Sequence, residues 1–589
     1  MKRNTPIFKQ GKNLNICLFK KNNVSCALVE NLIIFLMLNV LFKACIKSDD
    51  YFTAQIAYGA FSGHYDVHLV YNNVVLGYII MGLLKIFPKI AWYTVLQTLF
   101  CYLALSTMTF LWKLKNRGKK LYYIFFPILI FFSYELYIKI TFTKTAGCLI
   151  VCGFLLLYEA LVEEKNISMV CMGIAFVELG YLYRNSVFFS VLPFFIVLYI
   201  IRLFRKVKRE RSLKGVPTQV LKLCLVLGVI LSMSNGLQTL NERVYFQDEE
   251  WGDFRKYDGL RSQLIDQTTN NYEEYKEEYE AINCSENDLE LLYSSNLNYH
   301  GLWNSQWYRD IVAIAKKSSL KTSITTFFDV QQFMKFFHEW WSVYTKYGIF
   351  IFLLVTQFLC VLEKKENYIY ALGMDAGLIA ENWYLKVTMN RTYQSHVDFY
   401  LILVVQMFFL FACEMDNRYK EEKNDKWIFL SLVIIVIINQ RYYYLQKDTF
   451  LDYITSPNMC NASKNKDLLD EVIQDKEHLY LFPAQETTYS LWQYDAYDII
   501  PKGIYSNLYS PSLYRWPSQR SALENYEIEN PMQDITYDDD IRFIVSDEIE
   551  EKNVEMYEKY CQEHVNSNAK FIKIQEIGSL NIYKCILND

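Results

Sequence analysis

Apolar residues run in blocks along the chain, at 26 to 46, 91 to 112, 121 to 138, 143 to 160, 167 to 183, 186 to 203, 221 to 238, 347 to 363, 397 to 413 and 427 to 444. Each approaches the ~20 residues that a helix needs to cross a ~30 Å hydrocarbon core. A weaker segment, 367 to 386, is interrupted by Asp375, Glu381, Asn382 and Lys386, while its Gly373, Ala376 and Gly377 suit a helix packed against others. Counting it, the pattern predicts an all-α polytopic membrane protein of about eleven transmembrane helices. The first block carries Lys43 near its end and no small-residue cleavage site, so it reads as a retained signal anchor.

The segment LVYNNVVLGYIIMGLLKIF (69 to 87) is apolar as well, and charge decides how to place it. If it does not cross, 25 Lys/Arg fall in loops on the side of the N-terminus and eight in the short connections opposite. Positive residues collect on the cytoplasmic side, so this parity is preferred. Segment 69 to 87 then dips into the membrane or lies along its interface. Residues 1 to 25 are a basic cytoplasmic N-terminus and 26 to 239 a membrane module with a first external loop at 47 to 90. Residues 240 to 345 form an external region, 346 to 444 further transmembrane helices, and 445 to 589 an external domain. The setting is a plasma membrane, with the C-terminal domain extracytoplasmic.

Both large external stretches carry folding patterns. SENDLELL (285 to 292) offers Ser285 as an N-cap with Asp288 three residues later, and 311 to 341 has apolar residues at helical spacing. In the tail, HLYLF (478 to 482) and RFIVS (542 to 546) read as buried strands and 549 to 565 as an amphipathic helix. FIKIQEI and LNIYKCIL read as a strand pair around Gly578, giving a small α/β domain.

Composition adds limits. The 589 residues carry a net charge of −4, without a basic run that would serve nucleic acid. Mean hydropathy is only +0.04, because the polar external stretches offset the spans. Ten of the 14 cysteines, Cys45 among them, lie in or beside apolar blocks or in the basic N-terminus and read as free thiols; the rest lack metal-ligand spacing. No metal site is expected, unless Asp49 and Asp50 hold one.

Candidate chemistry concentrates at the outer membrane face. The loop leaving the first span, KSDDYFTAQIAYGAFSGHYDVH (47 to 68), places Asp49 and Asp50 within about one helical turn of the boundary, where a carboxylate needs a partner or a task. It can take a proton from a hydroxyl, hold a metal, or be an ordinary acidic flank. Arg184 and Arg391 stand in outer turns at head-group depth, where a guanidinium grips a phosphate or simply snorkels. His64, Asp66 and His68 alternate and would share a face only on a strand, so an interfacial loop is preferred to a metal site. Arg255, Arg261 and Asp266 can line an acceptor groove or sit on a solvated helix.

This plan resembles the GT-C superfamily of integral membrane glycosyltransferases, which includes protein O-mannosyltransferases, aminoarabinose transferases and bacterial glucosyltransferases of surface polysaccharides. The resemblance covers the plan of about residues 26 to 445, and SDDYF (48 to 52) is similar to the family's short acidic motif. The pair is Asp-Asp here, where many members have Asp-Glu or Asp-x-Asp. The resemblance implies inverting transfer of a sugar from a polyprenyl-phosphate carrier to an external glycan or glycolipid in contact with membrane lipid. Asp49 or Asp50 would be the base, with Asp49 preferred, and Arg184 and Arg391 would bind the donor phosphate. No cofactor is required; a divalent metal, Mg or Mn, is the optional one. A polysaccharide polymerase or ligase, or a lipid-linked glycan flippase, are the alternatives. A reporter enzyme active only outside the cytoplasm, fused after residue 116, is expected to be silent; activity there would reverse the parity.

Overall fold

The computed structural model describes residues 7–46, 48–115, 122–163, 167–211, 213, 215–294, 305–346, 367–389, 469–483, 494–511, 517–547 and 550–588. The expected spans at 347 to 363, 397 to 413 and 427 to 444, and Arg391, lie outside these residues. Helices dominate: α1 (Ile7–Leu41), α2 (Ser48–Tyr58), α3 (Val74–Ile86), α4 (Trp92–Lys115), α5 (Tyr122–Tyr137), α6 (Phe142–Glu163), α7 (Ile167–Tyr183), α8 (Asn185–Glu210) and α9 (Val216–Tyr245) build the apolar half. Among the described residues five helices are long and apolar enough to cross a membrane, in α1, α4, α6, α8 and α9. Helix α3 has 13 residues, about 20 Å at 1.5 Å each, short of a ~30 Å core.

Helix α6 is the hub of this half, its span Phe142–Leu161 fully buried. It lies against α4, α7, α8 and α9. Its closest neighbour is α7, because glycines let the two backbones touch. A Cβ on Gly153 would come 2.5 Å from the Gly173 carbonyl oxygen, and one on Gly180 2.8 Å from that of Ala146. Between apolar helices in lipid, such close packing supplies the attraction that hydrophobicity cannot.

Helices α10 (Glu249–Gln267), α11 (Lys276–Ala281), α12 (Glu286–Tyr293), α13 (Ser305–Phe327) and α14 (Val330–Lys346) follow, then α15 (Asn367–Met389). The capping box read from the sequence forms at α12, with Ser285 Oγ accepting from the Asp288 amide and Asp288 from that of Ser285. Helix α15 places Gly377 against Phe194 of α8, and Trp383 against Phe333 and Phe336; among the described residues Gly373 and Ala376 of the expected packing face are exposed, and the helix is not one of the five.

The tail forms a five-stranded sheet of β3 (Leu479–Leu481), β4 (Leu508–Tyr509), β5 (Ile541–Ser546), β6 (Ala569–Ile577) and β7 (Leu580–Leu587), in the order β4-β3-β5-β7-β6. β3 runs parallel to β4 and β5. β7 is antiparallel to β5 and to β6, the hairpin turning at Gly578 with φ +60°. Helices α16 (Arg520–Asn525), α17 (Pro531–Asp534) and α18 (Glu550–His564) complete it. Its apolar face and the helices from α10 to α13 share one core, in which Leu289, Leu291 and Tyr308 join Leu481, Phe543 and Tyr557.

Cys45 is disulfide-bonded, which corrects the expectation of a free thiol. It lies beyond the end of α1, in a two-residue strand β1 (Cys45–Ile46), outside the lipid-crossing helix that a block-based reading assigned it to. Nine other cysteines, those whose side chains are described, are free.

The α6–α7 contact generates a prediction. Gly173→Val and Gly180→Val should each cost about 1–3 kcal/mol or more through overpacking, read as a lowered Tm of the detergent-purified protein. Gly228→Ala in α9, whose added methyl meets nothing among the described residues, should leave Tm unchanged or raise it slightly, since Ala favours the helix by up to about 1 kcal/mol.

Candidate functional site

Two short elements set the site. β1 pairs in parallel with β2 (Lys139–Ile140), register Cys45 with Lys139 and Ile46 with Ile140, so the start of α2 is held beside the start of α6. Asp49 and Asp50 occupy the first turn of α2, where carboxylates complement the positive helix end. From Tyr51 to Tyr58 this helix is buried throughout, so its phase turns one member of the acidic pair inward.

The pair therefore divides. Asp49 is exposed and Asp50 is 1% exposed. Asp50 Oδ1 accepts from the Phe142 amide at 2.9 Å, the Tyr93 hydroxyl at 3.0 Å and Gln97 Nε2 at 3.1 Å. It thus satisfies a free amide of the α6 N-terminus from another element. Gln97 is held in turn by Thr145, whose Oγ1 donates to Gln97 Oε1 at 3.0 Å. Burial pushes the Asp50 carboxyl up to about 7; the bonds from Gln97, Tyr93 and Phe142 oppose that rise, and the charge of Asp49 adds to it.

Arg184 comes to the same helix end. It stands at the α7–α8 turn, half-buried, with its guanidinium 5.4 Å from the centre of the Phe142 ring. Nη1 donates to Thr143 Oγ1 and Nε to Ser186 Oγ at 3.2 Å. One turn of α6 thus gathers a buried carboxylate through its amide and a guanidinium through its side chains.

The other sequence candidates are placed differently. Asp66 and His68 form a clasp, His68 Nδ1 lying 2.7 Å from Asp66 Oδ1. Trp251 Nε1 donates to Asp66 Oδ2 at 3.2 Å, and the Trp251 and His68 rings stack at 4.7 Å. His64 is exposed, and among the described residues the three form no metal-ligating group. Arg255 pairs with Glu242 at 2.9 Å over the Tyr245 ring, and Arg261 with Asp258 at 2.8 Å. Those two arginines are committed to structural ion pairs. Asp266 lies on α10, its side chain outside what is described.

Sequence reasoning missed three features. Lys144, at the start of the apolar block 143 to 160, is buried with its Nζ 3.2 Å from Glu135 Oε2 and 2.8 Å from the Glu135 carbonyl oxygen. Glu178 of α7 meets Ser234 of α9, whose Oγ is 3.2 Å from both carboxylate oxygens. A strap from the tail also closes over α2: the Gly503 amide donates to the Gly59 carbonyl at 2.9 Å and the Tyr505 amide to that of Ala60 at 2.9 Å. Tyr51 OH accepts from the Tyr494 amide, Lys43 pairs with Asp495 at 2.6 Å, and Lys502 Nζ sits 3.5 Å from the centre of the Tyr65 ring. Glu135 and Glu178, acidic residues inside apolar blocks, were the signal available in the sequence for the first two.

No family model, curated protein or solved structure matches the chain.

The raised Asp50 carboxyl fixes the sign of a pH effect. Its folded value, about 7, exceeds the ordinary 3.8, so the folded protein holds the proton longer and loses stability as pH rises between those values. Asp50→Asn keeps an acceptor oxygen for the three donors and removes this loss. The Tm of the variant minus that of the natural protein should climb from pH 4 to pH 7 and then level; a flat difference would show that Asp50 is ionised throughout.

Proposed function

We propose that the chain is a membrane glycosyltransferase that moves a sugar from a polyprenyl-phosphate carrier to a hydroxyl of an extracytoplasmic glycan or glycolipid, with inversion. The observation that carries this reading is the gathering of an acidic pair and Arg184 at the N-terminus of α6, at the end of the bundle where α1, α4 and α7 also terminate or begin. The disulfide at Cys45 supports an oxidising, extracytoplasmic setting for that end.

In the proposed reaction Asp49, exposed and beside the boundary, takes the proton of the acceptor hydroxyl as its oxygen attacks the anomeric carbon. The bond from that carbon to the carrier phosphate breaks, and the electron pair leaves with the phosphate. Arg184 and the positive end of α6 offset the charge that grows on the phosphate oxygens. Asp50, sealed under Tyr93 and Gln97, is a positioning residue that fixes α2 to α6. A phosphate paired with cations leaves without a protein acid, so the mechanism needs no metal. Tyr78, Ile79 and Ile86 of α3 and Phe87 just after it stay exposed, a surface suited to a polyprenyl chain.

The test is incubation of purified protein with a panel of polyprenyl-phosphate sugars and glycan acceptors, scored for release of the carrier phosphate and for glycosylated product. Asp49→Asn should lower turnover by about 100-fold or more with Tm retained. Arg184→Ala should weaken use of the donor, and Arg184→Lys should restore part of it. Full turnover in Asp49→Asn removes the mechanism. Movement of intact carrier-linked sugar across a vesicle membrane, without release, would favour a flippase instead.

A further inference from the structure

Away from the membrane, α12 and α18 meet through Asp288, Glu563 and His564, residues some 275 positions apart, whose ligand atoms all lie within 4.8 Å of one another. Asp288 is 0% exposed. Its Oδ2 takes the Ser285 amide at 2.9 Å, closing the capping box, and its Oδ1 faces His564 Nε2 at 2.8 Å. Glu563 Oε2 stands 4.0 Å from the same nitrogen and accepts from Ser285 Oγ at 2.7 Å. Lys559 is 4.0 Å from Glu563 Oε1, on its solvent side.

Three features separate this group from a common surface ion pair. The donors are mixed, one imidazole nitrogen and two carboxylate oxygens, a set that suits zinc-class ions better than calcium or magnesium. The two distances from Nε2, 2.8 and 4.0 Å, bracket the ~3.3 Å that separates adjacent donors in a tetrahedron of ~2.0 Å bonds, so small rotations of Glu563 and His564 complete the geometry. Third, Asp288 is 0% exposed while the His564 and Glu563 side chains keep 15% and 30% of their surface open, so the group joins a buried anchor to a side that solvent reaches.

We propose that Asp288, Glu563 and His564 bind a divalent zinc-class ion that clamps the external helices to the C-terminal sheet. The ion takes the place of the proton between His564 Nε2 and Asp288 Oδ1, which leaves to solvent, and draws Glu563 Oε2 from Ser285. Its role is structural and does not depend on the transferase reading. The clamp reinforces contacts already joining the two helices, Asn287 Nδ2 to the Met556 carbonyl at 3.0 Å and Lys552 to Glu290 at 2.9 Å.

The experiment uses full-length protein in detergent, stripped with chelator and titrated with zinc alone. The expected result is about one zinc per chain by elemental analysis, with a Tm that rises on zinc addition and falls again with chelator. His564→Gln should abolish the rise. Glu563→Gln, which leaves the buried cap intact, should weaken zinc affinity about tenfold or more. Absence of stoichiometric zinc, an unchanged zinc response in both variants, or stabilisation by calcium but not zinc would overturn the proposal and reduce the group to a hydrogen-bonded clasp.

Discussion

The N-terminus of α6 is the point on which the apolar half depends. A helix buried along its whole span begins with backbone amides that water does not reach, and leaving such a donor unmade costs about 1–3 kcal/mol. Asp50 supplies an acceptor from the first turn of α2. That one contact commits α2 to α6, and Tyr93 and Gln97 extend the commitment to α4. At the other end Arg202 of α8 lies 3.4 Å from Glu159 Oε1 and 4.1 Å from the centre of the Tyr158 ring, so α6 is tied at both ends as well as along its glycine contact with α7.

These ties are polar inside an apolar bundle, and that combination has consequences. Buried ion pairs such as Lys144 with Glu135 add little net stability over a well-packed apolar equivalent, yet removing one partner leaves a charge stranded. They act chiefly to fix which helix ends meet. Around α6 they hold the α5–α6 turn, the α7–α8 turn and the α2 start in one place, and so bring Asp49 and Arg184 to the same end of the bundle.

The later helices and the sheet act on that end through a continuous core. The helices from α10 to α13 and the five-stranded sheet share apolar residues, and the strap at 494 to 505 lies on α2 through backbone bonds at Gly59 and Ala60. Gly59 has φ +71°, and a Cβ there would meet the His64 backbone at 2.3 Å, so the loop that accepts the strap tolerates no side chain at this position. The tail is therefore bound to the helix that carries the candidate carboxylates.

By itself the sequence determined what depends on local period and composition. Five of the apolar blocks became helices long enough to cross a membrane, the capping box formed at Ser285 and Asp288, and the tail's alternation became strands paired around Gly578. It also placed an acidic pair and Arg184 at helix ends. Tertiary structure alone decided which of two adjacent aspartates is buried, because the phase of α2 against α4 and α6 is not written in two identical neighbouring letters. It decided too that His68 and Asp66 clasp each other under Trp251 while His64 stays apart, that Lys144 turns inward to Glu135, and that Cys45 is oxidised. Each of these rests on a partner that the fold, and not the local sequence, brings within reach.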